Sequence, residues 1–229
     1  MNITNRYHKV FFLVNVWVSI VLLTGTAYSQ EMIQKQEMEF AQHSLTEYVK
    51  NIINERNFAN FGFKSLEEAK IARLGDPYPV MIIGLNNLKG YKSGTGAKAL
   101  LIDARTLWFP VMVKGETRTK MEIVEKDGKW IAGEFGGVKV VRKITMAKNQ
   151  LPMLLESKEI TALYKTMLVK IPSLYAEFLY VENSKREFLI PAMIQPQRYK
   201  LQNGQIYTAD EVLSKLKEFA KEIDEKKVM

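Results

Sequence analysis

With no cysteine anywhere in its 229 residues, this chain must be held together by buried apolar side chains and paired backbone amides, since no disulfide is open to it. The start of the sequence sharpens that limit. Arg6 and Lys9 precede an apolar stretch from Val10 to Leu23, broken only by Asn15 and Ser19, and small residues follow at Ala27 and Ser29. A basic start, a short apolar core and a small-x-small site are the three parts of a secretory signal. The stretch is shorter than the roughly 20 apolar residues that span a bilayer, so it reads as a signal peptide over 1–29, cleaved to leave Gln30 first. Small exported domains usually exploit disulfides. Here about 200 residues remain after cleavage, enough for one sizeable core or two modest ones.

No cysteine follows the apolar core, which excludes a lipid-modified N-terminal cysteine. The Asn-x-Ser/Thr triplet Asn2-Ile3-Thr4 lies within the signal, and none follows it. The expectation is an exported bacterial protein, periplasmic or extracellular, with no stable membrane span after cleavage. Loss of Arg6 and Lys9 takes Lys+Arg from 33 to 31 against 25 Asp+Glu, a net charge of +6. The basic residues are dispersed. Nucleic-acid binding needs a basic stripe with exposed aromatics, and no such stripe is present, so no nucleic-acid partner is expected.

Phe40, Ala41, Leu45, Tyr48, Val49, Ile52 and Ile53 recur at helical spacing, predicting an amphipathic helix that starts within 31–40 and ends near Arg56. Ser65 and Glu68 form a capping box for a short second helix, expected to stop at Gly75-Asp76-Pro77. From there the period changes to that of strands: 80–83, 107–113, 116–124, 129–132 and 138–144. Asp127-Gly128 predicts a tight hairpin turn. The glycine-rich segment 89–98 reads as a flexible exposed loop. Pro152 is expected to open a short helix over 153–157, and 160–171 fits helix or strand. An antiparallel pair over 174–181 and 186–194 joins through 182–185, and Asn203-Gly204 makes another turn. A second capping box, Thr208 to Glu211, opens a closing helix through Val212, Leu216, Phe219, Ala220 and Ile223, with Lys226 and Lys227 at its negative pole.

The segment Trp108-Phe109-Pro110-Val111-Met112-Val113 echoes Phe188-Leu189-Ile190-Pro191-Ala192-Met193-Ile194. Two related halves, 30–145 and 146–229, would produce that echo, and the prolines place both segments at sheet edges. The order of elements resembles the cystatin-like arrangement, which implies an α+β fold with a curved antiparallel sheet around the N-terminal helix. Phe61-Gly62-Phe63 through Gly75-Asp76-Pro77, then Trp108-Phe109-Pro110 and Gly128-Lys129-Trp130, look like segments of exported bacterial proteins of unassigned activity. That likeness covers about residues 58–137 and carries no catalytic signature.

His43 is the only histidine after the signal. With Glu47 it lies on one helical face, but a zinc site needs three or four ligands, and no second histidine or any cysteine is available. No Gly-x-Ser-x-Gly elbow exists. Residues 90–98 lack the Gly-Lys-Ser/Thr order of a phosphate loop. Paired carboxylates of a glycosidase type would come from Glu116, Glu122, Asp127 and Glu134, on or near one hairpin. The aromatics Phe61, Phe63, Trp108, Phe109 and Trp130 are either core or the anchors of a groove for a peptide or apolar ligand. Trp130 is expected to pack inward on the first helix with Trp108 close by. No catalytic residue, cofactor or metal is expected. The leading expectation is a non-enzymatic binding, inhibitor-like or envelope-assembly protein with a protein or peptide partner. The alternative is a carboxylate-dependent hydrolase acting on envelope polymers.

Overall fold

The computed structural model describes residues 35–156, 164–182 and 186–223, leaving aside the side chains of residues 154 and 155. The expected signal, Gln30, the 182–185 connection beyond Glu182, and Lys226 and Lys227 lie outside the described residues. The chain divides into two compact units, Met1–His43 and Ser44–Met229. Residues 35–51 are helical (α1), so the division falls within that helix. In the first unit, Ala41 is buried and His43 is exposed.

The second unit is α+β. Its helices after α1 are α2 (Leu66–Lys70), α3 (Leu85–Lys89), α4 (Val138–Glu156), α5 (Pro196–Tyr199) and α6 (Ala209–Lys221). Its strands are β1 (Arg73–Leu74), β2 (Tyr78–Ile82), β3 (Ile102–Val113), β4 (Glu116–Lys126), β5 (Lys129–Gly136), β6 (Lys165–Ile171), β7 (Ala176–Glu182), β8 (Glu187–Met193) and β9 (Tyr207–Thr208). They form one open sheet in the order β5-β4-β3-β2-β6-β7-β8-β9, with β1 beside β3. Every pairing is antiparallel except β2 with β6, where Val80, Met81 and Ile82 lie beside Leu168, Val169 and Lys170. Two meanders are thus fused at their first full strands. The expected boundary at 145/146 falls inside α4, and the sheet runs through both proposed halves.

Alternate side chains of a strand project to opposite faces, and here both faces of the central strands are covered. Val80, Leu168, Leu179 and Ile190 meet Val141, Ile144, Ala147 and Leu151 of α4 on one face. Ile83, Val169, Phe178 and Leu189 meet Val212, Leu213, Leu216 and Ala220 of α6 on the other. Runs such as Phe178-Leu179-Tyr180-Val181 are unbroken for this reason, since a strand buried on two faces needs no polar alternate. The α+β class holds, but the sheet carries helices on both faces rather than a single helix on one.

Several local expectations are corrected. Residues 138–144 begin α4 instead of a strand: Val141, Ile144, Ala147 and Leu151 are all buried and follow a helical period. Pro152 therefore lies in that helix's last turn rather than opening a new one. Helix α2 ends at Lys70, and β1 intervenes before Gly75. Pro110 is not at an edge, since β3 is flanked on both sides. It is tolerated because its neighbour breaks between Leu74 and Tyr78, where the Gly75 amide donates to the Pro110 carbonyl at 2.8 Å. Pro191 is accommodated in the same manner beyond the end of β9, with the Gly204 amide donating to its carbonyl at 2.8 Å. The Asp127-Gly128 turn joins β4 to β5 with both residues at positive φ, 52° and 73°, the geometry that matches strand twist.

Trp108 is 1% exposed and meets Tyr78 edge-on at 5.6 Å between ring centroids, within the α4 cluster. Trp130 is half-buried. It lies two residues from Ala132, which pairs with Ile123, whereas Trp108 pairs with Glu122; the two tryptophans therefore point to opposite faces. Phe135 of β5 meets α1, stacked on Tyr48 at 5.1 Å, with the Tyr48 hydroxyl donating to the Gly133 carbonyl at 2.6 Å. Trp108→Ala should cost about 3–5 kcal/mol in urea unfolding. Trp130→Ala should cost about 1 kcal/mol or less. The reverse order would place the main core at β5.

Candidate functional site

The five aromatic candidates do not form one surface. Phe63, Trp108 and Phe109 are buried, while Phe61 and Trp130 are half-buried. Phe61 packs on Phe135 at 5.2 Å, and Phe109 pairs with Met121 on the face opposite Trp108. His43 is an exposed helix residue. Among the described residues no group of three or more His, Cys, Asp or Glu side chains is placed to hold a metal ion.

Of the carboxylate candidates, Glu116 is held by Arg118 and Lys64, at 2.5 and 3.6 Å. Asp127 forms the exposed hairpin turn. Glu122 and Glu134 join a charge network on the α4 face of the sheet. Lys120 Nζ donates to Glu122 Oε1 at 2.8 Å and to Glu134 Oε2 at 2.6 Å, and Lys170 Nζ reaches the same Glu122 oxygen at 2.9 Å. Strands β3 and β2 lie between β4 and β6, so the contact bridges the two meanders. The side chains of Lys120 and Glu122 are only 5% and 10% exposed. Burial pushes the Glu122 carboxyl up, but hydrogen bonds and charge from Lys120 and Lys170 outweigh it and hold the pKa below the usual value. Glu177, across from Lys170 on β7, is pushed up by burial despite the nearby lysines. A pair of carboxyls driven apart in this way is the pattern of acid–base sites. Here, however, the ionised member is engaged by two lysines. Sequence reasoning named Glu122 and Glu134 on or near one hairpin but had no signal for Lys120, Lys170 and Glu177, which surround Glu122 through the tertiary structure.

The glycine-rich loop is exposed over residues 92–95, as expected, and is tied down by hydrogen bonds to α6 and β8. Tyr91, expected on an exposed loop, is 1% exposed. Asp210, in the first turn of α6, accepts from the Tyr91 hydroxyl, from Ser93 Oγ at 2.8 Å and from the Gly94 amide at 2.8 Å. Glu187 accepts from the amides of Ala97 and Lys98. Amides that a bound phosphate would require are thus engaged by the chain's own carboxylates. The hydrogen bond from Tyr91, followed by those from Gly94 and Ser93, holds the Asp210 carboxyl below its ordinary value.

A concavity lies between α1 and α2. Leu45 and Val49 of α1 and Ile53 just beyond its end recur every four residues and, with Thr46 and Lys50, form one wall. Leu66, Ala69, Lys70 and Ala72 form the other. The result is a groove of about 390 Å³, within the range of about 300–1,000 Å³ common for small-molecule sites. Helix α2 is fixed in place by Ser65 Oγ, which accepts from the Glu68 amide at 3.1 Å, and by Glu68 itself, which accepts from Arg118 of β4 at 2.6 Å. Glu68 also accepts from the Lys64 amide, so its side chain serves the residue before the cap as well as β4. The groove was not legible in the sequence, because it is made by missing volume rather than by a motif. Comparison with family models, curated proteins and solved structures finds no match to this chain.

The charge network makes opposite predictions for its two inward glutamates. Glu122 has a lowered folded-state pKa, so it contributes stability above the ordinary glutamate value of 4.5, lost as pH falls through the folded value. Glu122→Gln leaves Lys120 buried with only Glu134 and should cost about 3 kcal/mol at pH 7. In urea titrations that deficit should shrink as the pH falls below the carboxylate range. Glu177 has a raised pKa, so its contribution is present at low pH and lost as pH rises through the folded value. Glu177→Gln should therefore stabilise the protein at pH 7. A loss of stability there would show that Glu177 is ionised and paired.

Proposed function

We propose that this is an exported, non-enzymatic binding protein whose site is the α1–α2 groove. The observation that carries the reading is the groove itself: a mainly apolar cleft walled by Leu45, Val49, Ile53, Leu66, Ala69 and Ala72. Small-molecule sites are concave, largely apolar and provided with a few polar groups that fix orientation. The engaged state of Glu116, Glu122 and Glu134 favours binding over hydrolysis, since each is held by a cation. The pinning of residues 91–98 by Asp210 and Glu187 likewise favours a ligand other than a nucleotide. An apolar group is the chemistry this cleft accepts.

The test uses a neutral apolar fluorophore, N-phenyl-1-naphthylamine. It should bind saturably with one site per chain and brighten on binding. Val49→Trp and Leu66→Trp each fill the groove from a half-buried position. Both should abolish binding while the far-ultraviolet circular dichroism and melting temperature stay near those of the wild type. Equal binding by the wild type and both folded variants, or no binding by any of them, would overturn the assignment.

A further inference from the structure

The groove has a polar side as well as an apolar one. Lys50 projects from the last turn of α1 and Lys70 from the last residue of α2, both exposed and both lining the cleft. Several lysines of the unit are paired with an acid: Lys64 with Glu116, Lys98 with Glu182, Lys215 with Glu211, Lys221 with Glu218. Lys50 and Lys70 have no such partner among the described residues. Glu47, the acid nearest to Lys50 along α1, accepts from Asn51 at 2.9 Å instead. A cation at the end of a helix offsets the carbonyl pole, but that role requires no apolar cleft beside it and no convergence of two helices on one cleft.

From this juxtaposition we infer that the groove takes a single-chain anionic amphiphile, with the chain lying along the apolar wall and the anionic head held between Lys50 and Lys70. The inference rests on the groove reading above and adds the class of ligand. Binding of the chain is driven by removal of methylenes from water, and each one buried should tighten binding about fourfold. The head contributes a charge-assisted hydrogen bond, which sets the preference for an anion over an alcohol of the same length.

The experiment is displacement of bound N-phenyl-1-naphthylamine by dodecanoate, dodecyl phosphate and dodecanol. Dodecanoate should displace the dye at least about tenfold more effectively than dodecanol. In the Lys50→Gln/Lys70→Gln double variant, the ratio of dodecanoate to dodecanol displacement, each referred to that variant's own dye affinity, should fall to about one. Displacement by dodecyl phosphate as strong as by dodecanoate assigns the head to any anion, and weaker displacement assigns it to a carboxylate; both support the inference. Equal displacement by dodecanol and dodecanoate would overturn it, as would an unchanged preference in the double variant, or a dye that binds but yields to none of the three. In each of those cases the groove assignment stands. Absence of dye binding to the wild type would remove both.

Discussion

The parallel contact between β2 and β6 is the constraint on which the rest of the second unit depends. Each meander alone is a four-stranded antiparallel ribbon with its first full strand at a bare edge, and an unpaired edge exposes a row of amides and carbonyls. Pairing Val80–Ile82 with Leu168–Lys170 closes both edges at once. It also creates a central region wide enough for helices on two faces, with α4 over Leu168 and Ile190 and α6 over Val169 and Leu189. Without disulfides, that doubly covered centre is where stability must reside. The Lys170–Glu122 contact adds a second bond between the meanders. Its value is more in fixing how they meet than in net energy, because buried ion pairs return little beyond their own desolvation.

How much of this was legible depended on how local each signal is. The Asp127-Gly128 hairpin and the Thr208 and Ser65 caps were readable because two to four adjacent residues determine them. Residues 138–144 were misread because three valines in a short window favour a strand, while the helical spacing of Val141, Ile144, Ala147 and Leu151 emerges only over a longer window. Pro110 pointed to an edge by a sound rule, yet the strand is internal, since a gap between β1 and β2 removes the need for its missing amide. The pairing of β2 with β6 involves residues nearly ninety positions apart, and no periodicity announces it.

The candidate site follows the same logic. The aromatics drew attention in the sequence because they are large, and the fold uses Trp108, Phe109 and Phe63 as core for the same reason. What the fold leaves open lies between α1 and α2, and its lining residues acquire that meaning only once the two segments face each other. The groove also benefits from anchoring at a distance: Glu68 ties α2 to Arg118 of β4, so one wall of the cleft is held by the sheet. The groove and the main core are therefore separate in this unit, the first on the α1–α2 side and the second around β2 and β6.

Native-state hydrogen exchange tests most directly whether the two meanders form one cooperative structure. The backbone amides of Val80, Met81 and Ile82 should share the slowest exchange class with those of Leu168, Val169 and the flanking β7, opening only with the free energy of global unfolding. Exchange of β6–β8 at that limit while β2–β4 open at a distinctly lower free energy would contradict the account, since the meanders would then be separate units that merely touch.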